Sequence, residues 1–485
     1  MNRLSKLPDK EILAMFDSTE FRGAGHVIIE LLADYLDKSI RGEGKVISWQ
    51  VPQQAIKRWQ KPLPIEPALS PREFVEALDK EILDHTLRIH HPHNLGHQVA
   101  TPLPVAALCD LVASLTNQAM TVYEAGPSAT LLEKQVVQWL CELIGWEDSD
   151  GVLTSGGAQA NLTALLAARQ IKAGWDTWQQ GVSSGSPLRI LACETTHYSV
   201  SRAAGIMGLG TDAVIKVPMD KLGRMDISAL KEAYQQCRHQ NVKPFAVTAS
   251  AGCTPTGSVD PLIEIGTFCR EHDLWFHVDG AHGASALLSS KFKPMLAGIE
   301  LADSVVWDGH KLLYMPAAVS AVLFRKAEHS YAAFAQEASY LFSAEDPEEA
   351  YNLGTRTLEC TKRMMGLKLW AAFMLYGTAK LGGLVEHVFE TAKQLALKLE
   401  ETPEFALLMQ PQTNIVCFRL LPVHLSKEEL DRHQEAVRKK LVEQGQFHLT
   451  QVKLGDQVWL RTTVMNPLTS GKEIMALIQG ISLLQ

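Results

Sequence analysis

Apolar and polar residues follow two different periods along the middle of the chain. Short apolar runs, typical of buried strands, alternate with longer stretches in which apolar residues recur at helical spacing. The runs predict strands at 151–155, 189–194, 213–218, 245–251, 274–279, 304–308 and 318–325. This alternation predicts an α/β fold with a mainly parallel, seven-stranded sheet, because consecutive parallel strands need a crossover helix between them.

The two ends of the chain show other patterns. Residues 1–85 contain short helical segments separated by proline-rich connections, which carry too little apolar surface for a core of their own. A polar stretch at 343–357 predicts a mobile loop, and beyond it the C-terminal region mixes helices with a few strands. We therefore expect an N-terminal helical segment (1–85) packing on a partner subunit, a large domain (86–375) and a small α+β domain (376–485).

Composition and charge narrow the functional class. The chain has 485 residues and a net charge of -8, with no block of like charges, so we expect neither a nucleic acid nor a membrane as partner. No secretory signal is evident, and eight scattered cysteines indicate reduced thiols in a cytoplasmic protein. We expect no metal site, because a proline interrupts the histidine-rich stretch HHPHNLGH (90–97).

Two polar residues follow predicted strands at the edge where open α/β sheets bind ligands. Lys311 ends the segment SVVWDGHK, and its amine could form an imine with an aldehyde cofactor. Asp279 ends the strand in LWFHVDGAHGA, where a carboxylate could keep a pyridine nitrogen protonated. Taken singly, each has a simpler explanation, since lysine is common in solvated turns and aspartate often caps helices.

Two further segments have the same position relative to a strand. In LTSGGAQAN, Gly156 and Gly157 open a helix whose free N–H groups could hold a phosphate, although a plain glycine turn would look the same. In CETTHYSVSRAAG, His197 could stack on a cofactor ring or could simply cap the next helix.

In this order, the motifs SGG, THYSVSRAAG, HVDGAHGA and WDGHK resemble those of the group II PLP-dependent decarboxylases. That family includes the glutamate, aromatic amino acid and L-2,4-diaminobutyrate decarboxylases, and the resemblance runs from about residue 80 to the C-terminus. It implies a fold-type I enzyme with pyridoxal 5′-phosphate (PLP) as cofactor and a homodimer with active sites at the subunit interface. The implied reaction converts an L-amino acid, such as L-2,4-diaminobutyrate or an acidic amino acid, to its amine and CO₂.

The resemblance also implies roles for individual residues on the cofactor side. Lys311 resembles the Schiff-base lysine, Asp279 the partner of the pyridine nitrogen, and His197 the histidine stacked on the ring, which is also a candidate proton donor. The other implied cofactor contacts are Gly156, Gly157, Ala158, Thr254, Ala281, Asp308 and His310.

Three residues are implied on the substrate side. Arg461, in VWLRTTVMNP, resembles an arginine that binds the substrate carboxylate; otherwise it would be a strand residue paired with a surface carboxylate. His97 stands where glutamate decarboxylases have glutamine, which makes glutamate a less favoured substrate. Tyr351, in the loop at 341–357, resembles the tyrosine that protonates the carbanion; the alternative is a solvated loop tyrosine. If no tyrosine reaches the site, oxidative deamination could replace simple decarboxylation.

Two other functions stay open at this point. An aminotransferase or aldolase of the same fold would need the same lysine and aspartate. A non-catalytic scaffold could also keep the fold, although each cofactor-side position carries a residue competent for catalysis.

Overall fold

The computed structural model describes residues 9–334, 349–422 and 425–484. Its N-terminal segment contains the helices α1 (Asp9–Ala14), α2 (Ser18–Ile40), α3 (Pro52–Ala55) and α4 (Pro71–Ala77). Within these four helices Ser39 is the one buried residue, so their apolar side chains are all exposed or partly exposed in the single chain. This exposure is what we expect of a segment that carries too little apolar surface for a core of its own.

The central part of the chain alternates strands and helices. Its strands are β1 (Asp150–Thr154), β2 (Leu188–Cys193), β3 (Val214–Val217), β4 (Lys243–Ser250), β5 (Trp275–Asp279), β6 (Ser304–Asp308) and β7 (Ser320–Phe324). Its helices are α5 (Pro104–Thr116), α6 (Pro127–Ile144), α7 (Gly157–Lys172), α8 (Thr177–Gln180), α9 (Ser199–Ile206), α10 (Ile227–His239), α11 (Leu262–Glu271) and α12 (Gly366–Glu400). Across the described ranges, no helix combines the length and the apolar character that a bilayer crossing requires.

The seven strands form one sheet in the order β1-β7-β6-β5-β4-β2-β3. The pairs β3–β2, β2–β4, β4–β5 and β5–β6 are parallel, whereas β7 is antiparallel to both β6 and β1. Every residue of β5 and β6 is buried, as expected for strands covered by helices on both faces. The predicted α/β fold and mainly parallel sheet are confirmed.

A second, smaller sheet lies in the C-terminal region. It comprises β8 (Phe405–Leu407), β9 (Ile415–Leu420), β10 (Thr450–Leu454) and β11 (Gln457–Thr463), accompanied by α13 (Lys427–Gln444) and α14 (Gly471–Ser482). The strands run in the order β10-β11-β9-β8, with every pair antiparallel. Within α12 the backbone leaves helical geometry at Gly377, with φ 66° and ψ 168°, beside the predicted domain boundary at 375/376. The division into three domains remains a prediction.

One segment links the small sheet to the large one. The N–H of Leu95 donates to the carbonyl of His448 at 2.8 Å, and the N–H of Thr463 donates to the carbonyl of Leu95 at 2.7 Å. Five residues later, Ala100 donates to the carbonyl of His310, beside the end of β6. The histidine-rich stretch therefore runs from the C-terminal sheet toward the edge of the central sheet.

Candidate active site

The carboxyl ends of the parallel strands surround a cavity of about 280 Å³. Loops that follow β1, β2, β4, β5 and β6 form its wall, which is the expected ligand position in an open α/β sheet. All ten cofactor-side residues predicted from the sequence line it: Gly156, Gly157, Ala158, His197, Thr254, Asp279, Ala281, Asp308, His310 and Lys311.

Lys311 lies three residues beyond β6, and Asp308 fixes its position. The Nζ of Lys311 is 3.0 Å from Oδ2 of Asp308, and the Lys311 side chain is 17% exposed. Asp308 is buried and accepts a hydrogen bond from Ser320 Oγ at 2.5 Å, while His310 Nε2 lies 3.5 Å away. The amine is therefore held at the cavity wall by a carboxylate that is itself anchored to β7.

Asp279 ends β5 as a buried carboxylate on the same wall. Its Oδ2 accepts from Asn161 Nδ2 at 2.9 Å, and its Oδ1 accepts from the N–H of Ala281 at 3.2 Å. Both donors are neutral, so these bonds orient the carboxylate without neutralising it. A protonated ring nitrogen would complete this environment.

The start of α7 has the geometry of a phosphate-binding turn. Gly156 has φ 144°, a conformation that favours glycine, and a Cβ on Gly157 would lie 2.9 Å from Oδ1 of Asp308. The first N–H groups of a helix lack intrahelical acceptors, and the helix dipole favours an anion there. A glycine turn with free N–H groups, a buried carboxylate and an amine thus line one cavity, and they fit the phosphate, ring nitrogen and aldehyde of PLP.

His197 follows β2 and lines the same cavity. Its Nδ1 lies 2.8 Å from Ser199 Oγ and accepts from the N–H of Ser199 at 3.3 Å. Burial lowers the pKa of His197 below its usual value, despite the opposing charge of Asp279. The imidazole is therefore neutral at physiological pH.

Arg461, for which the resemblance implies binding of the substrate carboxylate, lies in β11 and is hydrogen-bonded to a loop of the cavity wall. Its guanidinium donates to the carbonyl of Thr254 at 2.7 Å and to that of Pro255 at 3.1 Å, and it does not line the cavity. The residue is buried, so the surface ion pair considered as the alternative is also absent from the described contacts. Arg461 here supports the loop that carries Thr254.

The other two substrate-side residues also lie outside the cavity wall of the single chain. The ring of His97 is exposed and 5.4 Å from that of His448, between centroids. The ring of Tyr351 lies 5.6 Å from that of Tyr123 and beneath Nζ of Lys134, toward the amino end of β1. The preceding part of the predicted loop, residues 341–348, lies outside the described residues.

Six lining residues were not predicted from the sequence: Asn161, Tyr198, Ser250, Gly252, Cys253 and His282. Asn161 lies one helical turn after Gly157, and this spacing is a signal that could have identified it. His282 is buried, with Nε2 at 2.6 Å from Asn414 Oδ1, and burial lowers its pKa to about 3. It joins the cavity wall to the chain just before β9.

Comparison with known proteins agrees with this geometry. The family model of the pyridoxal-dependent decarboxylase conserved domain matches residues 52–421. The aromatic-L-amino-acid decarboxylase of Bacillus atrophaeus is 30% identical over 468 residues, covering 96% of this chain and 95% of the relative. The L-2,4-diaminobutyrate decarboxylase of Acinetobacter baumannii is 29% identical, covering 88% of this chain and 87% of the relative. A crystal structure of mouse CSAD in apo form superposes with a TM-score of 0.89 at 27% identity, covering 96% of this chain and 99% of that chain.

The family match covers well over half of the chain, including every strand around the cavity. The cofactor is pyridoxal 5′-phosphate, and the protein is a carboxy-lyase that acts on amino acids. This chain belongs to the pyridoxal-dependent decarboxylase family.

Proposed function

We propose that the substrate is an L-amino acid with a charged side chain, either L-2,4-diaminobutyrate or an acidic amino acid, and that Lys311 and Asp279 hold PLP during its decarboxylation. The observation that carries the assignment of residues is the single cavity lined by both side chains and by the glycine turn before α7. The polar wall, which includes Ser250, Thr254 and His282, favours a charged over an aromatic side chain. The Acinetobacter relative named for diaminobutyrate supports the first of the two candidates.

Bound PLP supplies an electron sink for the electrons of the Cα–carboxylate bond as CO₂ leaves. Lys311 would hold the cofactor through its amine, and Asp279 would keep a proton on the ring nitrogen. The start of α7 and His310 would bind the phosphate, while Ala281 leaves room for a flat ring. The side chains of this wall therefore orient the reacting bond rather than attack it.

Two residues are candidates for returning a proton to Cα. His197 is neutral and lines the cavity, so it needs no rearrangement to approach a ligand. Tyr351 lies away from the cavity of its own chain, so its participation requires the loop to move or a second subunit to present it. Replacing each by phenylalanine and measuring the ratio of amine to aldehyde product would identify the donor.

A homodimer would cover an apolar surface that the single chain leaves open. Four apolar residues at i, i+3, i+4 and i+7 of α5 are each about half exposed or more: Leu108, Leu111, Val112 and Leu115. Helix α2 adds Phe21, Val27 and Leu32. We expect sedimentation to show a dimer for the native chain, and the double variant L111D/V112D to shift it toward monomer.

A cytoplasmic location is also part of the proposal. All eight cysteines are free thiols and six of them are buried, a state that a reducing compartment maintains.

The test is a screen of CO₂ release with the purified full chain and added PLP. Diamino, acidic and aromatic L-amino acids serve as substrates, with K311A as the blank and the exposed-lysine variant K221A as the matched control. We expect CO₂ and amine from a diamino or acidic substrate with the native chain and K221A, and none with K311A. Formation of keto acid instead of CO₂ would support an aminotransferase, and preference for an aromatic substrate would overturn the substrate assignment.

A further inference from the structure

A buried hydrogen-bond network behind the cavity connects Asp279 with His197. Its centre is Asn161 on α7, which is 1% exposed. The Nδ2 of Asn161 donates to Asp279 Oδ2 at 2.9 Å and also to Ser199 Oγ at 2.9 Å. Ser199 Oγ in turn lies 2.8 Å from Nδ1 of His197. One amide group therefore contacts Asp279 directly and is linked to His197 through Ser199.

The partners of Asn161 fix the orientation of its amide. A carboxylate can only accept, so the amide group facing Asp279 is the NH₂ and the oxygen faces the other way. That oxygen, Oδ1, lies 2.9 Å from Nε2 of His277, the buried residue in the middle of β5. Because Oδ1 also accepts only, Nε2 of His277 must carry a proton.

The other ring nitrogen of His277, Nδ1, also has a hydrogen-bond partner. Burial lowers the pKa of His277 to about 4, so the ring is neutral and Nδ1 is an acceptor. The hydroxyl of Ser304 lies 2.8 Å from that Nδ1 and accepts from Trp275 Nε1 at 2.9 Å, so its own proton points to His277. Trp275, Ser304 and His277 thus hold Asn161 in one orientation, because each donor in this series faces an acceptor.

The same logic defines the tautomer of His197. Ser199 Oγ accepts from Asn161, so its proton is available for Nδ1 of His197, and the N–H of Ser199 also points to that nitrogen. Nδ1 is therefore the acceptor in a neutral ring, and the proton resides on Nε2. His197 consequently carries its N–H donor on the nitrogen outside the network.

We propose that Asn161 and His277 are positioning residues: a directed chain of hydrogen bonds from Trp275 through Ser304, His277 and Asn161 orients the Asp279 carboxylate and holds His197 as its Nε2–H tautomer. This inference rests on the cofactor-side roles proposed above for Asp279 and His197. In a dry interior a fully satisfied network of this kind has a single arrangement, whereas the loss of one member leaves its neighbours with unpaired groups.

The test compares variants that break the chain at different points. H277L removes the donor to Asn161, and H277Q keeps an N–H group near the position of Nε2. N161L removes the centre, and S199A removes only the hydroxyl link to His197. The matched control is S285A, because Ser285 is also fully buried and also accepts from a tryptophan indole, Trp307 Nε1 at 2.9 Å, but contacts no member of the network.

The first readout is the tautomer of His197 in the apoprotein, measured by ¹⁵N NMR with labelled histidine and assigned by difference from H197Q. We expect one Nε2–H tautomer in the native chain, H277Q and S285A, and a mixture of tautomers in N161L, H277L and S199A. The second readout is PLP affinity. We expect it to fall about 10-fold to 100-fold in N161L and H277L and to stay within about 3-fold of native in H277Q, S199A and S285A.

If N161L or H277L does not fold, the S199A variant still tests the proposal. It removes the link to His197 but leaves the hydrogen bond between Asn161 and Asp279 intact. A single Nε2–H tautomer in S199A, or unchanged PLP affinity in folded N161L, would overturn the proposal. If neither the native chain nor S285A released CO₂, the proposed function itself would be contradicted. Failure of the inference and failure of the proposed function are therefore distinguishable.

Discussion

The carboxylate of Asp279 is buried with neutral hydrogen-bond donors, and the role proposed for it depends on its charge. We predict that D279N lowers the rate of CO₂ release at least about 100-fold, roughly 3 kcal/mol of transition-state stabilisation, because an amide does not keep the ring nitrogen protonated. PLP affinity should fall as well. The exposed-carboxylate variant D273N is the control, and equal rates for D279N and D273N would contradict the assignment.

Residues directly after a strand were predictable, and residues that depend on tertiary packing were not. Asp279 and Lys311 follow apolar runs, so sequence alone placed them at one edge of the sheet. Asn161 sits inside a helix, and its spacing from Gly157 places it on the cavity side without showing that it contacts the end of β5. Arg461 was assigned from resemblance, whereas its hydrogen bonds go to backbone carbonyls of a loop distant in sequence.

At the level of elements, the turn from β1 into α7 packs against Asp308 at the end of β6. In the proposed site this packing decides how closely the phosphate of PLP can approach the backbone. G157A would place a Cβ 2.9 Å from Asp308 Oδ1, and backbone or carboxylate must then shift. We expect a cost of about 1–3 kcal/mol, seen as a rise of about 5-fold to 150-fold in the dissociation constant for PLP.

The control for that change is G383A, a substitution in α12 with no heavy atom within 4 Å of the new Cβ. We expect it to leave PLP affinity unchanged and to stabilise the helix slightly. Equal PLP titration curves for G157A and G383A would show that the turn does not hold the cofactor.

The elements themselves were largely predictable because the strands around the cavity consist mainly of apolar residues. All seven predicted strands are present, with bounds that differ by at most a few residues. The short strand β8 was missed, since three residues show no recognisable period. Helix α2 begins at Ser18 because Asp17 caps it, accepting from the N–H groups of Thr19 and Glu20.

The stability of the whole molecule should decline in mild acid because neutral histidines are buried in it. Burial lowers the pKa of His277 to about 4 and that of His282 to about 3. As the pH falls below about 6.5, both histidines bind protons in the unfolded chain but not in the folded chain. Their contribution is fully present above that pH and is lost as the pH falls. Asp260, whose pKa burial raises to about 6, acts in the opposite direction across roughly pH 4 to 6.

We predict that the free energy of unfolding of the apoprotein falls between pH 7 and pH 5 by on the order of 2 kcal/mol for each of these histidines, offset in part by Asp260. Urea unfolding at a series of pH values measures this slope. The variant H282F should show a shallower slope than the native chain. Equal slopes would mean that His282 does not remain neutral in the folded state.

The covalent attachment of PLP tests the central claim most directly in the intact protein. The full chain is loaded with PLP, reduced with borohydride so that the cofactor stays attached, digested and mapped by mass spectrometry. We predict that the modified residue is Lys311 in the native chain and in K221A, and that K311A retains no cofactor after reduction. Attachment at another lysine, or an unmodified Lys311 in protein that releases CO₂ with PLP, would contradict the account.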